Sequence, residues 1–277
     1  MIRSPPGRLP VGPRKPRLPG LHQRSLSGLR QNSERHSPAR RLTEKGQHIV
    51  QVVARTEQHA AALAAEVGAA WTTDIDSIGR NIDVCIYAVS DASLAEVAER
   101  VNQPEVLHLH TAGSMPIDVL NVHHNKHYGV LYPFQTFSRQ RAVDFDKIPI
   151  FIEANDEPAE AMTARLAHLL SNDVRVVTSA QRMAIHVAAV FACNFTNHMY
   201  TIAAQILHDQ HVPFDILYPL ISETAQKIQT MSPVMAQTGP AVRNDWNVIN
   251  KHLTFLTDEQ QRRLYQLITQ NIQHSAE

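Results

Sequence analysis

Cysteine is nearly missing from this chain: Cys85 and Cys193 are the two in 277 residues. Each lies inside an apolar segment, where buried free thiols are commoner than disulfides, so a disulfide framework is excluded and a reducing, cytoplasmic compartment is expected. No stretch approaches the run of about 20 apolar residues that a spanning helix needs, which leaves no membrane partner. No G-x-S-x-G nucleophile elbow and no H-E-x-x-H metal motif occurs. Sixteen histidines are present, among them His108, His110, His123, His124 and His127. Their spacing matches no tight ligand template, so a histidine-rich surface loop is expected and no metal.

An excess of charge is lacking too, but only in the sum. Residues 1–41 hold ten Lys and Arg and one acid, leaving 16 basic and 25 acidic residues downstream. An acidic body does not suit a phosphate backbone, so no nucleic-acid partner is expected. The basic segment carries prolines at 5, 6, 10, 13, 16, 19 and 38 and no helical or strand periodicity. It cannot bury a core and is expected to be a disordered Pro/Arg-rich arm. Those prolines also break the amphipathic helix of an organelle transit peptide.

From residue 42 the character changes. Leu42-Thr43-Glu44-Lys45-Gly46 looks like a last helical turn closed by glycine, and residues 49–54 read as a strand. Thr56 is placed to cap a helix over 57–67 that ends at Gly68. Residues 83–89 form a near-continuous apolar run of the kind found in a central parallel strand. Strands over 106–110, 148–154 and 174–178 alternate with helices over 91–101 and 157–170. The alternation predicts an α/β fold with a doubly wound parallel, Rossmann-like sheet over residues 42–178, its ligands at the carboxyl ends of the strands. An all-helical domain is expected over 179–277.

Such a sheet should open with a strand leading into G-x-G-x-x-G, whose glycines let the backbone approach a pyrophosphate. The motif is absent, so the sheet is expected to lack both its first strand and its glycine loop. The arm in that place is read as out-of-frame or otherwise aberrant sequence joined to an intact body. Read one base over, codons for residues 34–38 can spell Asn-Val-Thr-His-Leu, a usable start for the missing helix. Past the second strand stands Arg55-Thr56, where an acid normally meets a ribose 2′-hydroxyl; arginine suits a 2′-phosphate, hence NADP rather than NAD. A solvated arginine at a strand end is the alternative.

Three motifs then occur in order: His110-Thr111-Ala112-Gly113-Ser114, Gly129-Val130-Leu131-Tyr132-Pro133-Phe134-Gln135-Thr136-Phe137, and Thr238-Gly239-Pro240-Ala241-Val242-Arg243-Asn244-Asp245. Together they resemble the Rossmann-like proteins that carry the domain of unknown function 2520, relatives of pyrroline-5-carboxylate reductase and deazaflavin-dependent NADP reductases. The resemblance covers residues 42–277, with Asn244 where the family pattern has glycine. It implies a nucleotide-binding domain, a dehydrogenase-type helical domain that forms a homodimer, and NADP-linked reduction of a small molecule. The class alternative is a non-catalytic dimeric binding protein.

Residues 180–207 are apolar nearly all round and read as a buried central helix. His186 and Asn194, eight residues apart, are about 12 Å apart along an α-helix and roughly 80° around it, so both can face one cleft. The resemblance implies His186 as proton donor and Asn194 as the amide that orients substrate; as a residue type, histidine suits proton delivery near neutrality. A core histidine and asparagine tying helices together is the other reading.

His110 and Ser114 are candidate substrate contacts at a strand end, with Gly113 permitting close backbone approach. Pro133 should stop a strand begun at Gly129, leaving Gln135 and Thr136 to reach or brace the cleft. Ser90 and Asp91 end the central strand and open a helix, as caps or as cofactor contacts. Thr238 and Gly239 precede Pro240 at the first position of a helix striped by Val242, Trp246, Ile249 and Leu253, whose N-terminus could hold an anionic substrate group.

Overall fold

A computed structural model describes residues 25–29, 38–136 and 143–275, the first of these as backbone. Eight strands form one sheet in the order β3-β2-β1-β4-β5-β6-β7-β8. They are β1 (Ser25–Leu29), β2 (Ile49–Val53), β3 (Ala70–Thr72), β4 (Val84–Ala88), β5 (Leu107–His110), β6 (His127–Pro133), β7 (Ile150–Ala154) and β8 (Val174–Val176). The helices α1 (Pro38–Glu44), α2 (Glu57–Val67), α3 (Asp91–Glu99) and α4 (Glu157–Leu170) accompany them.

All five residues of β4 are buried, and Ile49, Leu109, Leu131, Ile150 and Ile152 are enclosed to within 1% exposure around it. Each such side chain withdrawn from water stabilises the fold by about 1.5–3 kcal/mol. Cys85 lies in this core, where burial pushes its thiol up to about 12. Gly68 closes α2 in the left-handed conformation, φ 67°, as its position after the periodic run predicts.

Several expectations are corrected. The sheet does not lack its first strand: Ser25–Leu29 of the basic arm runs parallel between β2 and β4. The cause is tertiary, because two strands separated by one strand's width each present unpaired N–H and C=O groups, and a short segment of small and apolar residues satisfies both edges. The place of the glycine loop, residues 30–37, lies outside the described residues, as do residues 1–24, while residues 38–41 open α1.

Second, the sheet is mixed. β7 runs antiparallel to β6, and β8 parallel to β7. A parallel return needs a long crossover, usually helical. Among the described residues between β6 and β7 the sole helical piece is a single 3-10 turn, Phe145–Lys147.

Third, the last apolar segment is not buried within the chain. It forms α5 (Ser179–Ala189), a π-helical stretch (Val190–Phe195) and α6 (Thr196–Asp209), in which Arg182 alone is buried. Phe191 and Phe195 are 64% and 49% exposed, and Cys193, expected to be buried, is exposed.

Contacts divide the chain into two units, Met1–Val190 and Phe191–Glu277. The second unit is helical: α6, α7 (Tyr218–Thr230), α8 (Pro233–Ala236), α9 (Trp246–Phe255) and α10 (Glu259–Ser275). The helix expected at Pro240 starts instead at Trp246. Asn244 takes a left-handed φ of 52°, and the Asp245 carboxylate caps α9 by accepting from Val248 N–H at 3.2 Å. Among the described residues no helix is long and apolar enough to cross a membrane.

Candidate active site

The strand order reverses direction of growth at β1, with β2 and β3 added on one side and β4 onward on the other. In sheets of this kind ligands bind beyond the carboxyl ends of the strands at such a reversal, here β1 and β4. Arg55 and Thr56 follow β2 and are exposed. Thr56 stands at the N-cap of α2, but its hydroxyl bonds the His59 Nδ1 at 2.5 Å instead of capping the backbone. Ser90 precedes α3, its hydroxyl 2.8 Å from that of Ser93. A cation and hydroxyls at these strand ends are the donor set that a phosphorylated dinucleotide requires.

Asp91 was expected first as a helix cap. It is the first residue of α3, and its carboxylate accepts a hydrogen bond from the Ser114 hydroxyl, linking the ends of β4 and β5. His110 ends β5 and is fully buried. Its Nδ1 accepts from Ala112 N–H at 3.1 Å, so the ring braces the turn that presents Gly113 and Ser114. Burial, reinforced by the Arg182 charge, pushes His110 down to about 3 and keeps it neutral.

His186 on α5 meets that turn. Its Nδ1 is 3.1 Å from the Tyr132 hydroxyl, and the two rings are edge to face with centroids 6.2 Å apart. Phe134 and Phe151 pack on the phenol ring at 6.1 and 6.3 Å. A Cβ on Gly113 would come within 2.5 Å of the His186 Nδ1 and 2.9 Å of Tyr132 Cζ. Glycine is therefore required at 113, and the ring it admits is the protein's own imidazole.

One turn before His186, Arg182 is completely enclosed. It donates to Glu153 on β7 and to the Met115 carbonyl, and Ser179 Oγ donates to Glu153 Oε2 at 2.8 Å. Ser179 N–H also donates to Glu153 Oε1 at 2.8 Å, so the carboxylate closes the positive end of α5. A capping box between Thr178 and Gln181 fixes the same turn. These bonds set the direction in which α5 delivers His186.

Gln135 is exposed, its Oε1 accepting from Thr136 N–H at 2.8 Å. Asn194 is exposed on the π-helical stretch of the second unit. A π-turn rotates less per residue than an α-turn, so the angle expected from an unbroken helix does not apply to it. Thr238 lines an apolar cavity of about 400 Å³ within the second unit, beside His252 and Tyr265, and Gly239 turns the chain with φ 109°. His108 is buried against Tyr87, its Nδ1 2.8 Å from that phenol. Among the described residues no group of three His, Cys, Asp or Glu could hold a metal ion.

Tyr132, Glu153 and Arg182 escaped the sequence reading. Tyr132 sits inside a motif whose later polar residues, Gln135 and Thr136, drew the attention. The signal for the other two was a charge within an apolar strand, Ile150-Phe151-Ile152-Glu153-Ala154, and a charge four residues before His186 on an apolar helix.

Residues 148–272 match the domain of unknown function DUF2520. A protein of Bacteroides fragilis assigned as an NADP oxidoreductase is 43% identical, with a TM-score of 0.83 over 91% of this chain and 98% of its own. The chain belongs to the DUF2520 family of Rossmann-like proteins. A Thermotoga maritima protein is similar to this DUF2520 member at 21% identity and a TM-score of 0.72, over 91% and 99% of the two chains. The imine reductase of Myxococcus stipitatus in complex with NADP+ shares the fold at 12% identity, with a TM-score of 0.61 over 91% and 92%. No curated protein sequence matches this family member.

Proposed function

We propose that the chain is an NADP(H)-dependent oxidoreductase that reduces a small imine, ketone or 2-oxo acid. The observation that carries this reading is the acid–base cluster of Tyr132 and His186, held against the Gly113 turn at the carboxyl edge of the sheet. Arg55 and Thr56 would hold the 2′-phosphate end of the dinucleotide, and Ser90 at the start of α3 its phosphates. When bound, the reduced nicotinamide supplies a hydride. The chain's own part is to deliver a proton to the nitrogen or oxygen beside the carbon that accepts the hydride, a role supported by the bond between His186 and Tyr132. The Bacteroides fragilis and Myxococcus stipitatus proteins, with their NADP-linked descriptions, support the cofactor.

The sequence carries no G-x-G-x-x-G, so weaker cofactor binding than in a chain with that motif is expected. The exposed apolar residues of α5, the π-helical stretch and α7, among them Val187, Phe191, Phe195 and Leu220, support a homodimer that covers them. The test is NADPH titration by fluorescence, on this chain and on one whose residues 1–41 are replaced by a strand and glycine loop, followed by NADPH consumption with imines, ketones and 2-oxo acids. Binding and turnover in either chain support the reading. Failure of both to bind NADPH rejects it.

A further inference from the structure

The Tyr132–His186 pair is built unlike a structural hydrogen bond. The phenol is fixed by its strand, by Phe134 and Phe151 on its ring, and by the backbone of Gly113 beneath it, so its hydroxyl has one position. The imidazole is half-buried, and among the described residues Tyr132 is its one hydrogen-bond partner. Fixed on one side by Nδ1, the ring keeps Nε2 for exchange with solvent or another group.

The surroundings favour a protonated phenol. Burial raises Tyr132 above the ordinary phenol range, Asp91 adds to the rise, and Arg182 opposes it. Arg182 is itself balanced by Glu153, and Asp91 by its bond from Ser114. His110, the other titratable group near the turn, stays neutral. A phenol in this setting can lend a proton to a reacting atom only if one is returned at once, and the group in contact with it is an imidazole.

We propose that Tyr132 is a catalytic acid that hands the proton to the reduced substrate, and that His186 recharges it through Nδ1. This rests on the reductase reading above. As a hydride from the reduced nicotinamide forms the new C–H bond, the π electron pair of the C=N or C=O group moves onto nitrogen or oxygen. That atom takes the Tyr132 proton as the phenol O–H bond breaks. The Nδ1 proton of the His186 imidazolium passes to the phenolic oxygen, leaving a neutral imidazole with its remaining proton on Nε2. Substrate gains a hydride and a proton, the nicotinamide is oxidised, and solvent reprotonates His186.

The experiment compares wild type, Y132F, H186Q and the double variant in NADPH affinity, in kcat across pH with the best carbonyl or imine substrate, and in 15N chemical shifts of the His186 ring. Expected are unchanged NADPH affinity in all four chains and a wild-type rate that falls as pH rises. Y132F should lose about 100- to 10,000-fold in kcat, the range of a positioned acid. The double variant should be no slower than Y132F, since the two act in series. In Y132F the Nδ1 signal should move toward that of a ring without this bond.

A Y132F chain that keeps the wild-type rate, multiplicative losses in the double variant, or an Nδ1 signal indifferent to Y132F would overturn the relay and leave the reductase reading standing. Should Y132F fail to fold, the same decision falls to H186Q, whose unchanged rate and pH profile would overturn it. If neither the wild type nor the chain given a strand and glycine loop binds NADPH, both readings are overturned.

Discussion

The Gly113 α-carbon faces the imidazole of His186 so closely that a Cβ there would lie 2.5 Å from Nδ1. No rotamer change at residue 113 relieves this, because Cβ is fixed by the backbone. G113A must therefore push His186 away from Tyr132. The expected result is a stability loss of about 1–3 kcal/mol, typical of overpacking, and a fall in kcat with NADPH affinity retained. Urea unfolding and fluorescence titration of the same sample check both.

Arg182 and Glu153 form an ion pair with 1% and 16% of their side chains exposed. Removing one partner leaves the other charge buried and unpaired, which costs about 3–5 kcal/mol. R182M should lose stability on that scale. E153Q, which keeps acceptor and donor atoms in place, should lose less. Comparing urea midpoints at equal m-values decides the order, and a neutral R182M would show that the pair does not anchor α5.

His110 makes stability depend on pH. Its folded pKa, pushed down to about 3, lies below the roughly 6.5 of an exposed histidine, so the unfolded chain binds a proton in that window that the folded chain refuses. Stability is therefore fully present above about 6.5 and declines as pH falls toward 3, by up to about 1.4 kcal/mol per pH unit. His108 is shifted in the same direction by burial and adds to the slope. Unfolding free energies between pH 7.5 and 5 should show this decline. H110N, which keeps an acceptor for Ala112 N–H, should flatten it.

Arg55 is exposed just past β2. If it meets the 2′-phosphate, R55E should weaken NADPH binding about tenfold or more, the effect of one charge-assisted hydrogen bond of about 1.5–3 kcal/mol, and spare NADH. Parallel titrations with the two reduced nucleotides measure the ratio. An unchanged ratio assigns Arg55 to solvent.

The parts of the fold readable from the sequence were those in which local pattern and final environment agree. The apolar run at Val84–Ala88 became the buried strand β4, and the segment between Thr56 and Gly68 became α2. Pro133 ended β6, since it has no N–H for a ladder. Strand β1 was illegible because Ser25–Leu29 carries no pattern of its own and takes its conformation from the two strands beside it. The start of α9 was misplaced because the backbone turn at Asn244 outweighed the favourable proline at 240.

By itself the sequence determined the alternation of strands and helices, the family motifs, and His186 on an apolar helix, because periodicity and residue type are local properties. Tertiary structure alone decided that Tyr132 meets His186, that Gly113 makes room for both, and that Arg182 and Glu153 aim the helix between them. Those partners are separated by 19 to 73 positions along the chain and come together only when the sheet edge and α5 pack. Hydrogen bonds and close contacts depend on distances in space, which spacing in the sequence does not fix.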